Sequence, residues 1–422
     1  MALSMPYGHK PRFKDFDLIS ISDETIREGL ERALFGARDE DKLALVEMIA
    51  CAGIKDIDMG SGLQEAKFLL RCLNSQCLLN RIPQDVNFLF NLTLKTWEPL
   101  KESLKIIPRK LLEKVHVSIG MVEFQEEKNL LAKAHGELFD IGIRNFRSSI
   151  LNAFDTEIDN EHYDFICRQI ERVKKLGIGK VRINDSVGTL YPDVTAILAA
   201  NLVNDFSNMT FYLHSHDDRG LGLANSLSSV FHGFQMIEGG IAGFGNRAGL
   251  ANIEVLNQIF IERNITVNGK NLDPQKLKDA AGLAEKTFIV IPDVYRPVSG
   301  LLVENENAGI VNVPDYLNVK RPVKYFVNQV GLFDDTVRQI LKDSGMLSEK
   351  IDDPDFISKV TGYLVNKLDY EILPQKQRLW QEIHDSILSL YSGILRIDDV
   401  EKTVLQILHQ QAVVNEIKRG EA

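Results

Sequence analysis

Between residues 18 and 262 the chain repeats one pattern eight times: a short apolar, β-branched run, then a longer amphipathic stretch. The runs are Leu18–Ser22, Ile54–Met59, Val86–Leu92, Lys114–Ile119, Ile143–Ser148, Lys180–Ile183, Thr210–His214 and Met236–Ala242. The helical stretches are Asp39–Cys51, Leu63–Cys72, Trp97–Ile107, Lys128–Leu138, His162–Lys175, Val194–Leu202, Leu221–His232 and Gly249–Glu262. Strands separated by helices cannot pair as hairpins; they pair in parallel through crossovers. Eight such units in about 250 residues close most simply into a (β/α)8 TIM barrel. An open doubly wound sheet is the alternative, but no G-x-G-x-x-G follows the first run to support it.

Beyond the barrel the pattern changes. Asn268-Gly269-Lys270 and Pro274 mark a break, and Pro292, Pro297 and Gly300 follow. The spacing then predicts helices over Asp334–Lys342, Asp355–Leu368, Gln375–Ser392 and Asp398–Ala412. The expected organisation is a barrel over 1–265, a loop-rich linker over 266–322 and a helical C-terminal region over 323–422. A net charge of −10 argues against a nucleic-acid partner, while a local cationic pocket for an anionic ligand remains open. No apolar run is long enough for a membrane span. Met1–Lys14 has no signal-like apolar core. Cys51, Cys72, Cys77 and Cys167 form no CxxC pair, so reduced thiols and a cytoplasmic setting are expected.

Reactive groups of a barrel enzyme gather where strands end. The seventh run ends in His214-Ser215-His216-Asp217-Asp218. Residues i and i+2 of a strand share a face, so both imidazoles can enter the barrel mouth. The first run ends in Asp23-Glu24-Thr25-Ile26-Arg27-Glu28-Gly29. Glu28 with His214 and His216 would make an N/N/O set with open positions for a divalent ion, Zn, Mn or Mg. Arg27 would place a fixed cation where an oxyanion develops. Asn184-Asp185-Ser186-Val187-Gly188 follows the sixth run; Asp185, a catalytic candidate with Arg27, and Ser186 would orient a substrate carboxylate or hold Arg27, unless the stretch only caps the next helix. Gly243-Phe244-Gly245-Asn246-Arg247-Ala248-Gly249 follows the eighth, a turn whose Arg247 could wrap an anion. Asp218 is a candidate partner for a ligand imidazole. Asp58 and His116 are candidate lining residues for substrate, with a core role equally open for His116.

Taken in order, these stretches resemble the barrel family of isopropylmalate, citramalate and homocitrate synthases and hydroxymethylglutaryl-CoA lyase. Residues 23–29 resemble its D-x-T-L-R-[DE]-G opening, with Ile26 for Leu; a glutamate at 28 is most similar to homocitrate synthase. Residues 214–225 resemble HxH[ND]-x-x-G-x-A-x-AN, a stretch shared with the lyase branch. Asp185–Gly188 resembles D-[TS]-x-G, Gly243–Leu250 an altered G-x-G-E-R-A-G-N, and Asp56–Gly60 the second strand. Arg296–Gly300 and Ala308-Gly309-Ile310 resemble linker elements of the condensing branch. The resemblance implies metal-dependent carbon–carbon bond chemistry: condensation of acetyl-CoA or another acyl-CoA with a 2-oxo acid, in a homodimer. A lyase or aldolase acting on a hydroxy acid or its thioester is the alternative, and a non-catalytic metal-binding relative the second. Nothing after about residue 322 resembles a leucine-feedback domain.

The departures fall on the acid–base groups. Ile150 falls in the slot of the synthases' catalytic Glu, and Val311 in that of the linker His. In the glycine-rich turn, Asn246 and Leu250 stand in for Glu and Asn. Neither Ile nor Val can move a proton.

Overall fold

The computed structural model describes residues 15–60, 64–93, 97–121, 130–152, 158–308, 322–345 and 349–420. Its first compact unit runs to Val303 and its second from Glu304.

In the first unit, eight parallel strands form the barrel wall: β1 Ser20–Asp23, β2 Asp56–Gly60, β3 Asn87–Thr93, β4 Val115–Met121, β5 Asn145–Asn152, β6 Lys180–Asp185, β7 Thr210–Ser215 and β8 Met236–Gly239. Ladders join them in chain order from β1 to β7, and β8 pairs with β1. β7 and β8 lie side by side, leaving a nearly closed ring. The helices are α1 Thr25–Arg32, α2 Asp39–Cys51, α3 Gln64–Cys77, α4 Trp97–Leu104, α5 Leu130–Ile141, α6 Asn160–Lys175, α7 Pro192–Asp205, α8 Gly222–Phe231, α9 Ile253–Arg263 and α10 Pro274–Phe288. Two of them were not anticipated. α1 lies in what reads as a charged loop, and its eight residues carry Glu28. α10 lies in the stretch expected to be loop-rich. Its signals were local: Asp273 accepts from the N–H groups of Gln275 and Lys276, Pro274 opens the helix, and Leu277, Ala280, Ala281, Ala284 and Phe288 form one buried stripe.

Alternation along the strands divides the barrel into two environments. Ile21, Ile57, Phe88, Phe90, Val117, Ile119, Val181, Ile183, Phe211, Leu213 and Ile237 face outward and join the helices' apolar stripes in one core. At about 1.5–3 kcal/mol for each buried large side chain, this annulus supplies most of the drive to fold. The alternate residues face the lumen and are mainly polar: Ser22, Asp56, Asp58, Asn91, His116, Ser118, Arg147, Ser149, Arg182, Asn184, Tyr212, His214 and Glu238, all buried.

The second unit holds β9 Asn305–Asn307 parallel to β10 Lys324–Phe326, then α11 Asp334–Asp343, α12 Pro354–Lys367, α13 Leu373–Leu390 and α14 Ile397–Gly420. A small core of Leu332, Val337 and Ile357 holds α11 against α12. α13 shows Trp380 and Ile383 to solvent, and α14 Val404 and Leu405.

Candidate metal centre

At the C-terminal end of the barrel, α1 and the end of β7 bring Glu28, His214 and His216 together. β1 delivers α1, whose first turn buries Glu28. β7 carries His214 one residue before its end, and His216, just beyond the end, bridges to Leu250 of the glycine-rich turn. The β6 loop passes behind His216 at Gly188, where φ is +63° and a Cβ would lie 2.7 Å from the His216 carbonyl oxygen. Only glycine suits both the backbone and the space.

The two Nε2 atoms are 3.2 Å apart, and Glu28 Oε1 lies 3.5 Å from that of His214 and 4.0 Å from that of His216. Ligand bonds of about 2.0–2.2 Å imply donor separations of about 3.0–3.5 Å, so the trio needs little movement to share one ion. Burial and then Arg182 push His214 well below its ordinary pKa. Burial also lowers His216. Both rings are therefore neutral and carry lone pairs. Burial alone would raise Glu28, but the Arg27 guanidinium brings it below its usual value, so it is a carboxylate.

Around this trio the lumen is short of positive charge. Glu24, Glu28, Asp58 and Glu238 are buried there, against the guanidinium groups of Arg27 and Arg182. Arg27 lies 2.5 Å from Glu24, 2.6 Å from Glu28 and 3.4 Å from Asp58. Its Nη2 is buried beside Glu28 without a well-aligned hydrogen-bond partner. Arg182 Nη1 lies 3.3 Å from Glu24 and 3.1 Å from Glu238. Burial pushes the carboxyls of Glu24 and Asp58 up. A divalent ion beside Glu28 would add positive charge to this carboxylate-rich wall, and buried charge needs such compensation. Glu24, His214 and Glu238 form a second cluster on the other ring nitrogen of His214, whose Nδ1 is 3.4 Å from Glu238 Oε2. The residues thus fit a divalent ion, which Glu28, His214 and His216 would hold.

The structure places the other expected residues in different roles. The glycine-rich turn gives one hydrogen bond to Glu28: the Asn246 N–H donates to Glu28 Oε2 at 2.8 Å. Arg247 is joined to Asp218 through Nε at 3.0 Å and Nη2 at 2.8 Å, and donates to the Ser186 carbonyl at 2.7 Å. Asp218 is thus engaged by Arg247, not by an imidazole. Asp185 lies on the outward parity of β6. Its carboxylate accepts from the N–H groups of Thr189 at 2.8 Å and Leu190 at 3.1 Å, tying the loop that carries Ser186. Asp58 reaches the site through Arg27 and accepts from Asn91. His116 is not brought to the others. It stands at the opposite, N-terminal end of the lumen, 3.0 Å from Arg147. Ile150 faces outward into the annulus, so it holds no place facing the mouth; inward parity on β5 belongs to Ser149, which accepts from Arg182 and Asn184, each at 2.9 Å. Val311 lies outside the described residues.

Glu24, Arg182, Asn184 and Glu238 were missed from the sequence. Their signal was the polar half of an alternation, as in Lys180-Val181-Arg182-Ile183-Asn184.

Residues 140–283 match the HMGL-like family model. The chain is 25% identical over 264 residues to a 2-isopropylmalate synthase of Aeromonas salmonicida, covering 58% of this chain and 48% of that one. It is 32% identical over 158 residues to a homocitrate synthase of Sulfolobus acidocaldarius, 37% of this chain and 32% of that one. The chain spans about half the length of the first curated relatives it matches. Among solved structures, an HMG-CoA lyase from Bacillus subtilis superposes with a TM-score of 0.50 at 18% identity, over 66% of this chain and 95% of that one. The carboxyl transferase domain of Rhizobium etli pyruvate carboxylase also reaches 0.50, at 14% identity, over 67% and 49%. These superpositions show a common barrel fold. Residues 140–283 thus carry the likeness to the HMGL-like family, and the chain is similar in sequence to 2-isopropylmalate and homocitrate synthases.

Proposed function

We propose that this protein catalyses a metal-dependent Claisen-type condensation of an acyl-CoA, acetyl-CoA first among them, with a 2-oxo acid. The observation that carries the reading is the convergence of Glu28, His214 and His216 beside Arg27 at the barrel mouth. The named synthases among its relatives support the same reaction class. When bound, a divalent ion would supply Lewis acidity toward a carbonyl or alcohol oxygen.

The chain's own residues do the rest. Arg27 is fixed by three carboxylates in a low-dielectric wall, so it does not have to reorganise as charge develops nearby. Its Nη2, free of an aligned acceptor, is placed to donate to a substrate oxygen next to Glu28. The Asn246 N–H fixes the second oxygen of Glu28 and leaves the first toward the histidines. Asp218 and Arg247 staple the β6, β7 and β8 loops into one rim.

The exposed apolar residues of α13 and α14 support a homodimer in which a second copy covers them. Four free cysteines support a cytoplasmic setting. No helix among the described residues is long and apolar enough to cross a membrane.

The test is thiol release from acetyl-CoA with a panel of 2-oxo acids and each of Zn, Mn and Mg. Saturable thiol release dependent on one acid and one ion is expected. Cleavage of a hydroxyacyl-CoA, with no thiol release in the condensing direction, would replace this reading with the lyase one.

A further inference from the structure

The N-terminal end of the barrel has the opposite charge character to the mouth. A cavity of about 560 Å³ opens there between the loops entering β5, β6 and β7. Its volume is that of a small-molecule site. His116, His135, Arg144 and Lys180 line it, together with Asn208 and Thr210, and no carboxylate among the described residues does. Lys180 is half-buried at the start of β6, and no ion pair to it is found among the described residues. Arg144 is held in place by stacking on Phe139 at 3.9 Å and by donating through Nη1 to the Phe139 and Ile143 carbonyls.

Behind this wall, buried Arg147 pairs with Asp56 at 2.8 Å. Its Nε and Nη1 are buried without a hydrogen-bond partner. Arg147 also faces His116 Nδ1 at 3.0 Å. Burial and Arg147 lower His116 to a pKa of about 3, so the ring is neutral. With Nδ1 accepting from a guanidinium, its proton sits on Nε2, giving a neutral donor in the cavity wall. At this end of the lumen, Arg147 and Lys180 both face Asp56. An unpaired, half-buried ammonium is costly unless a counter-charge arrives.

We propose that this cavity is a second ligand site, remote from the metal centre, that takes a small molecule bearing an oxyanion, either a carboxylate or a phosphate. Lys180 and Arg144 pair with the anion, and His116 Nε2–H, Asn208 and Thr210 offer neutral polar groups. The site stands whether or not the mouth performs the condensation.

Inorganic phosphate and malonate, titrated separately onto the full chain in low-salt buffer by calorimetry, distinguish the two anion classes. At least one is expected to bind saturably below about 10 mM. Lys180→Met is expected to weaken that binding at least tenfold, while Lys180→Arg retains it. Arg144→Met, at an exposed loop position, is expected to weaken it severalfold and serves as the test if Lys180→Met fails to fold. His216→Ala, at the other end of the lumen, is expected to leave it unchanged. Absence of saturable binding by either probe overturns the proposal. So does binding that survives Lys180→Met and Arg144→Met, or that disappears with His216→Ala.

Discussion

Arg182 and Ile183 are neighbours on one strand and live in different media. Ile183 points into the annulus between strands and helices, packed among aliphatic and aromatic side chains. Arg182 points into the lumen, between Glu24 and Glu238. The annulus makes the barrel stable; the lumen fixes charges in place. The usual barrel interior is packed with branched apolar residues. Here that space is given to ion pairs, so the stabilising burden falls on the outer shell.

This division predicts effects of different kinds. The largest change in stability is expected at Arg182→Met, which leaves buried Glu238 without its cation and Glu24 with Arg27 alone: about 3–5 kcal/mol by urea denaturation in the presence of a chelator, together with weakened ion binding. Ile183→Ala, one residue on, is expected to cost about 2–4 kcal/mol through an apolar cavity and leave ion affinity unchanged. If Ile183→Ala also lost the ion, the two environments would not be separable.

Arg27→Lys is expected to lower turnover about 10–100-fold with little change in melting temperature, because an ammonium cannot hold the fork that meets Glu24, Glu28 and Asp58. Steady-state kinetics alongside a thermal melt checks both halves, and unchanged turnover would remove Arg27 from the chemistry.

The smallest effect is a pH dependence at the other end of the lumen. Burial alone would raise Asp56, but Arg147 and His116 hold it well below the usual carboxylate range. A folded-state pKa below the unfolded value contributes stability that is complete above about pH 4 and is lost as pH falls toward the folded value. Asp56→Asn is therefore expected to flatten the acid limb of a plot of urea midpoint against pH. An acid limb as steep as that of the wild type would place the acid sensitivity elsewhere.

The same parity explains what could be read from the sequence. The eight strand–helix units were legible because annulus-facing residues are apolar and recur at the right spacing. The His214/His216 pair was legible because i and i+2 share a face. Reading each strand as one apolar run hid the alternate polar residues, and with them Arg182, Asn184 and Glu238. The placement of Ile150 followed from motif matching; alternation along β5 turns it away from the lumen. Asp185 and Arg247 occupy motif positions, but their partners are loop atoms brought close only by the fold. α1 was hidden because its charged residues read as a solvated loop, although Glu24, Glu28 and most of Arg27 are buried.

The most direct test is the divalent-ion content of the full chain after equilibrium dialysis, for the wild type and for His216→Ala. The expected result is about one ion per wild-type chain and almost none in the variant, with circular dichroism unchanged, since losing one ligand from an open site removes the ion and leaves the annulus intact. Full ion content in His216→Ala would contradict the assignment of Glu28, His214 and His216 as the metal centre.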